Sequence, residues 1–379
     1  MHRIAFRFFC LYWVLWLSPI WKPVAPMVAT RLFHVSAEAA TYHRTGSGDT
    51  ALQYMDVFLS FVAALCGTAI WSMLDRRRDQ YVILHSWLRL LIRYFMALML
   101  LSYGFSKVFL LQFPENSLIR LGQEYGTFSP MGVVWSFMGA SAAYTIFSGL
   151  AEVTGGVLLY FRRTTALGAL VTFGVMTNVV ALNYCYDIPV KIHSTHYLLM
   201  SAFLLAPDFH RLMNVFLLNR AAEPGELRFP EFRPGWRLWT SRVAWIVLFA
   251  LGVIAQGVGA YKSYAAPKPR TPLYGLYTVE GPKSQDWRSV AFETPETMSI
   301  RMTDGRSQYI PVTYDVAKQT IALKNIATYH WSNPEPNLVV LARTVEGKEV
   351  TIPLRRFDES RYLLRTRGFH WVQEYPFNR

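Results

Sequence analysis

A series of apolar runs, each about as long as a bilayer is thick, constrains this chain more than any other feature. A spanning helix needs about 20 mostly apolar residues. Residues 52–74 form one such run, closed by the charged turn DRRRDQ. Residues 82–113 form another. A run that ends at Phe161 is closed by Arg162 and Arg163, and residues 165–184 follow. Further runs lie at 4–20, at 196–206 with residues just upstream, and at 243–260, so seven spans are expected. The first, RFFCLYWVLWLSPI, has the basic start and short apolar run of a signal peptide. Its Trp and Phe content, the lack of a clean A-x-A site and the Trp-Lys-Pro that follows favour a retained anchor. SPMGVVWSFMGASAAY, ahead of the run that ends at Phe161, reads as an interfacial or re-entrant piece.

Composition agrees with a membrane chain. Of 379 residues, 52% are hydrophobic and only 17% charged, below the quarter usual in soluble proteins. The net charge of +13 needs no nucleic acid, because Lys and Arg gather at cytoplasmic helix ends. No RNA-binding signature or basic helix on a soluble domain is present. Residues 75–79 carry three arginines, Arg162 and Arg163 mark a second basic end, and 210–242 carries several more. Seven spans put all three on one side, with the N-terminus cytoplasmic and the C-terminus outside. The loops at 21–51 and 114–130 are poorer in Lys and Arg. The expected location is a bacterial inner membrane. Cys10, Cys66 and Cys185 are scattered, form no CxxC, and read as small apolar fillers.

Beyond residue 265 the pattern changes. APKPRTP is a linker. The runs LYGLYTVE, RSVAFET, MSIRM, YIPVTY, TIALKN, LVVLART, EVTIPL and YLLRTRGFHW then alternate with period two, with turn signals TDGR and EGKE between some of them. Such runs predict antiparallel strands. About eight of them predict a small antiparallel β-barrel or sandwich outside the cytoplasm, held by burial alone because it has no cysteine. The fold class is thus an α-helical membrane bundle of about seven transmembrane helices plus a C-terminal β domain. Its expected parts are 1–81, 82–220, 221–264 and 265–379.

Charges inside the apolar runs carry the chemistry. Glu152 sits in FSGLAEVTGGVLLYFRR, where a central charge costs about 2.5–3.5 kcal/mol on insertion scales. In the run at 82–113, Arg89 and Arg93 share a helix face, Lys107 returns to it about five turns later, and Tyr103 lies near the same stripe. Counting residues inward from the charged ends puts Glu152 about 15 Å deep and Arg93 about 18 Å. An ion pair between Glu152 and Arg93 follows, with Arg89 near it. The pair serves either helix packing or a proton or ligand site. Gly149, Gly155 and Gly156 allow close helix approach in both cases.

A second polar cluster lies in NYCYDIPVKIHSTHYLL: Asn183, Tyr184, Asp187, Lys191, His193 and His196, with Asn178 one turn deeper. Asp187 is placed to pair with Lys107, and Lys191 with Glu115. The cluster is either a solvated interface or a substrate mouth. His193 and His196 have no firm third ligand, so no metal is expected. The YDIP turn, with Pro189, could break the helix and line a cavity. In GSGDT, Asp49 reads as the N-cap of the helix at 52–74. G-x-S-x-G, P-loop and H-E-x-x-H are all missing. Only His85 lies near a span, so a bis-histidine haem is not expected.

Three stretches then resemble the DoxX/DoxD-like family of membrane proteins: RYFMALMLLSYGFSKVF, SGLAEVTGGVLLYFRRTTALGALVTFGVMTNVVALNYCYDIPVK and HYLLMSAFLLAPD. The family pattern of an early Arg, a Gly-x-x-Lys and a Glu before small residues falls on Arg93, Gly104 to Lys107, and Glu152. The additional N-terminal runs and the β domain depart from the four-helix family pattern. The β domain, from LYGLYTVEG to RGFHWVQEYPFNR, resembles a lipocalin-like barrel. The family resemblance implies a redox-linked membrane protein, since its DoxD branch belongs to thiosulfate:quinone oxidoreductases and other members assist oxidative-stress or maturation systems. A quinone is the candidate ligand, with Arg93, Glu152 and Tyr103 able to hydrogen-bond its carbonyl. Arg89, Lys107, Asn178, Asp187 and Lys191 are further ligand-binding candidates. The alternatives are a non-catalytic scaffold or maturation factor, whose β domain binds a partner protein or lipid outside the membrane, and a small-molecule transporter.

Overall fold

A computed structural model describes residues 3–42, 46–78, 80–223, 236–280 and 286–378. The chain divides into two compact units, residues 1–112 with 146–261 and residues 113–145 with 262–379. Part of the basic stretch expected at 210–242 lies outside the described residues.

The helices are α1 (Arg3–Leu17), α2 (Ala25–Phe33), α3 (Ala51–Leu74), α4 (Val82–Val108), α5 (Leu118–Leu121), α6 (Pro130–Ala140), α7 (Ala142–Tyr160), α8 (Thr165–Cys185), α9 (Lys191–Leu205), α10 (Phe209–Phe216), α11 (Trp236–Ala265) and α12 (Leu363–Thr366). Their ends follow local chemistry. Thr50 caps α3 in a reciprocal capping box with Gln53. Ser129 caps α6, with Pro130 at its first position. Ser141 is extended and separates α6 from α7, so the piece expected to be interfacial is a helix of its own. Asp187, at φ 49°, turns the chain after α8.

Five described stretches are long and apolar enough to cross a membrane: α3, α4, α7, α8 with the turn before it, and residues 246–265 of α11. The runs at 4–20 and 196–206 form α1 and α9, each of 15 residues. That is about 22 Å of helix, shorter than the hydrocarbon core, so the expected count of seven is not reached by length. The aromatic side of α1 is core: Phe6, Tyr12 and Trp13 are buried together with Leu88, Ile92 and Met96 of α4 and Met200 of α9.

The second unit carries eight strands: β1 (Gly275–Val279), β2 (Trp287–Thr294), β3 (Thr297–Met302), β4 (Ser307–Asp315), β5 (Thr320–Leu323), β6 (Ala327–Glu335), β7 (Leu338–Val345) and β8 (Lys348–Arg356). Each pairs antiparallel with the next, and β1 pairs with β8 (Thr278 opposite Arg355), so the sheet is a closed barrel rather than a sandwich. Closure leaves no unpaired edge. The interior is filled by large side chains, including Phe292, Ile300, Ile321, Tyr329, Leu341 and Leu354, all fully buried. Eight strands leave an interior just wide enough for side chains to fill.

Two strand expectations change. β6, ATYHWSNPE, was not expected. Tyr329 and Trp331 point inward while His330 points out, but Asn333 and Pro334 give its end the look of a turn. YLLRTRGFHW, expected as a strand, is the single turn α12 followed by irregular chain. With β1 and β8 paired, the barrel is already closed without it.

Residues 113–145 clasp this barrel. Leu118 and Ile119 are buried against Leu276 and Ala291. Glu293 accepts a hydrogen bond from the Leu118 amide at 2.8 Å. Arg301 donates to the Ile119 and Gly122 carbonyls at 2.5 and 2.6 Å. An anion at the start of this turn and a cation at its end match the free amides and carbonyls there. Burial pushes the Glu293 carboxyl up, partly opposed by the two amides that bond it.

Candidate functional site

Small residues decide how α4 meets α7. A Cβ at Gly149 would stand 2.7 Å from the Gly104 carbonyl oxygen, and one at Gly104 would stand 2.9 Å from that of Gly149. Seven residues further along α7, a Cβ at Gly156 would stand 3.0 Å from the Ala97 carbonyl, seven residues back on α4. The two helices therefore run antiparallel at close range, the approach that small residues permit between membrane helices.

That register sets Glu152 against the last turn of α4. Its Oε1 accepts a hydrogen bond from Lys107 Nζ, and the side chains are 2% and 8% exposed. As a pair they carry no net charge, which is how such groups are tolerated among apolar helices. Removing one partner from a buried pair costs about 3–5 kcal/mol, because the other charge is stranded. The second carboxylate oxygen, Oε2, is buried and has no hydrogen-bond partner among the described residues. Tyr103, one turn before Lys107, lies within electrostatic range of Glu152 and is exposed on the helix surface.

The expected Glu152–Arg93 pair is therefore replaced by Glu152–Lys107. Extending the α4–α7 register puts Arg93 at the other end of α7, where its Nη1 donates to Thr165 Oγ1 at 3.3 Å and its guanidinium lies 4.9 Å over the Tyr94 ring. Arg89 donates to the Leu204 carbonyl at 3.2 Å and stands 4.0 Å from Asp208, closing the C-terminal end of α9 as a cation does. The depth count failed because α4 has 27 residues, about 40 Å. Counting inward from the start of so long a helix overstates how deep Arg93 lies.

The second cluster also pairs differently. Lys191 binds Asp187 at 2.8 Å and stands 3.8 Å from Asp49, rather than meeting Glu115. Glu115 takes Arg365, at 2.8 Å. Asp187 meets Lys191, not Lys107. Asp49 does cap a helix, but it is α9 and from a separate segment: its oxygens accept from the Lys191 and Ile192 amides at 2.9 and 3.0 Å, where the N-cap residue Val190 has no capping side chain. Thr50 caps α3 instead. The helix break at YDIP is present, and the loop fills it, with the Gly48 amide donating to the Pro189 carbonyl at 2.6 Å. Asn178 faces outward on α8, while Asn183 is the buried amide and donates to Ser194 at 2.9 Å.

His196 has both ring nitrogens engaged. Nδ1 lies 2.6 Å from the Ile192 carbonyl, so it holds the proton and Nε2 accepts from the Tyr12 hydroxyl, also at 2.6 Å. Its ring stacks on Trp16 at 4.2 Å. Sequence reasoning missed Tyr12 and Trp16 as partners, since they lie about 180 residues away along the chain. The one available signal was the density of aromatic residues in the first apolar run.

Among the candidate residues, Lys107 and Glu152 come together inside the bundle with Tyr103 beside them, and Asp187 and Lys191 come together at the turn between α8 and α9. Arg89, Arg93, Asn178, Asp187 and Lys191 serve helix ends or face outward.

No family's sequence model matches the chain, and no solved structure matches it. Over 124 residues it is 36% identical to the uncharacterized protein YwoB of Bacillus subtilis (strain 168), a match that covers 79% of that protein and 33% of this chain.

Proposed function

We propose a function from one premise: the chain belongs to the family of the Bacillus subtilis protein YwoB. The reading is a DoxX-like integral membrane protein, a redox-associated component that holds a quinone or a similar apolar ligand at Lys107 and Glu152. The supporting observation is the orphaned Oε2 of Glu152, buried beside an ammonium that bonds only the other oxygen. Leaving a buried acceptor unmade costs about 1–3 kcal/mol, more when it is charged. A hydroxyl or a proton at that oxygen removes the cost.

The pair suits a head group that changes protonation. An ammonium has three donors and a carboxylate only acceptors. Lys107 can thus donate to a quinone carbonyl, and Glu152 Oε2 can accept from a quinol hydroxyl. The Gly104–Gly149 contact holds Lys107 and Glu152 side by side, so a head group that reached one would lie beside the other. Arg93 and Arg89 have no part in this site. The same reading keeps the barrel outside the cytoplasm of a bacterial inner membrane, in line with the basic turns at 75–79 and 162–163.

The test is extraction of the protein purified in mild detergent, followed by mass spectrometry for quinones. The native protein should carry about one quinone per chain. Lys107→Gln/Glu152→Gln, which removes both charges and strands neither, should retain roughly a tenth or less, as expected for losing hydrogen bonds to charged groups. Equal quinone in both proteins, or none in either, sinks the reading.

A further inference from the structure

The barrel unit carries a second site, apart from Lys107 and Glu152. At the join of β1, β8 and the chain that follows β8 lies a cavity of about 660 Å³. That is the size of a pocket for a small organic ligand. Its charges divide in two. The acids on its wall already have partners: Glu359 binds Arg365 at 3.0 Å, and Asp358 accepts from the Ser360 hydroxyl and amide at 2.6 and 3.0 Å and stands 3.9 Å from Arg361, which lies off the wall. Arg270 and Arg356, also on the wall, enter no ion pair among the described residues.

Both arginines are positioned by their neighbours. The guanidinium of Arg270 lies 4.7 Å over the Tyr274 ring. Arg356 lies across the start of β1 because residue 275 is glycine: a Cβ there would stand 3.3 Å from its Nε. Gly275 also has φ +148°, a conformation that favours glycine. Two guanidinium groups outside any ion pair among the described residues, beside the Tyr274 and Phe357 rings, fit an anion with an apolar body. Planar guanidinium forks match phosphate oxygens in particular.

Chain connectivity narrows the source. Arg270 follows Ala265, the last residue of a membrane-length helix, by five residues. A chain that short reaches at most about 18 Å. The irregular chain after α12 exposes Phe369, Trp371, Val372 and Tyr375, the residue types that settle at membrane–water interfaces. We propose that the Arg270–Arg356 cavity binds the phosphate of an anionic phospholipid head group, with Tyr274 and Phe357 against its glycerol and first acyl carbons.

The test uses the full chain in a neutral detergent, titrated with dioctanoyl phosphatidylglycerol and, separately, with inorganic phosphate. The variants are Arg270→Gln/Arg356→Gln and, as a control away from the cavity, Lys318→Gln, whose side chain pairs with Asp315 in the β4–β5 turn. The lipid should bind the native chain and the control alike, and the double variant at least about tenfold more weakly. Inorganic phosphate should bind much more weakly than the lipid throughout. Phosphate binding as tight as the lipid overturns the head-group assignment. No lipid binding to the native chain, or binding that the double variant leaves unmoved, overturns the site.

Discussion

The helical unit and the barrel unit bury very different things. The barrel interior is apolar and filled, and the buried charge of its unit, Arg301, lies outside that interior, bonded to carbonyls of the clasp. The helical unit buries charge: Arg7, Arg93, Lys107 and Glu152 are each less than 10% exposed. The difference follows from how each unit meets its surroundings. A closed barrel gains from taking apolar side chains out of water. Helices in hydrocarbon gain little that way, so close backbone contact at Gly104 and Gly149 and polar bonds between helices decide their packing. Apolar side chains therefore specify the barrel, and glycines and paired charges specify the bundle.

The largest effect that would sharpen this contrast is at the buried pair. Lys107→Met should cost about 3–5 kcal/mol, because it strands the Glu152 carboxylate, while Lys107→Met/Glu152→Leu should recover most of that loss. Thermal denaturation in detergent reads both variants. A double variant as unstable as the single one would show that packing at Gly104 and Gly149, rather than the stranded charge, dominates there.

In the barrel the corresponding loss comes from a cavity. Leu341→Ala removes a fully buried side chain and should cost about 2–5 kcal/mol, read by loss of the barrel's near-ultraviolet signal with denaturant. A cost near zero would contradict a packed interior and break the contrast between the units.

The smallest effect lies in the clasp. Burial raises the Glu293 carboxyl above its ordinary value of 4.5, so the folded unit holds that proton more tightly than the unfolded chain does. Its contribution to stability is fully present below pH 4.5 and is lost as pH rises through the raised value. Melting temperatures of the native chain and Glu293→Gln, compared across that window, should converge in slope with every other group and differ only by this one decline. Identical pH profiles would show that the two amides cancel the effect of burial, and a decline in the opposite direction would show that they outweigh it.

Much of this was legible in the residues alone. The apolar runs marked α3, α4, α7, α8 and α11, because hydrocarbon length and apolarity are properties of a single segment. Seven of the eight strands showed their alternation for the same reason. The run at 362–371 misled because alternation without a neighbouring edge does not make a strand. β6 was hidden because its inward Tyr329 and Trp331 are followed by Asn333 and Pro334. Glu152 and Lys107 were each singled out by their cost in an apolar run, but the partner assigned to Glu152 was wrong.

The sequence by itself determined which segments are apolar enough to span, where the β region begins, and which charges need partners, since each depends on residues near one another in the chain. Only the tertiary structure decided that Glu152 meets Lys107, that Asp49 caps α9 and that His196 meets Tyr12. Each of those depends on the register between separate segments. For Glu152 that register is set by the contact of Gly104 with Gly149, which no count of residues from a helix end reveals.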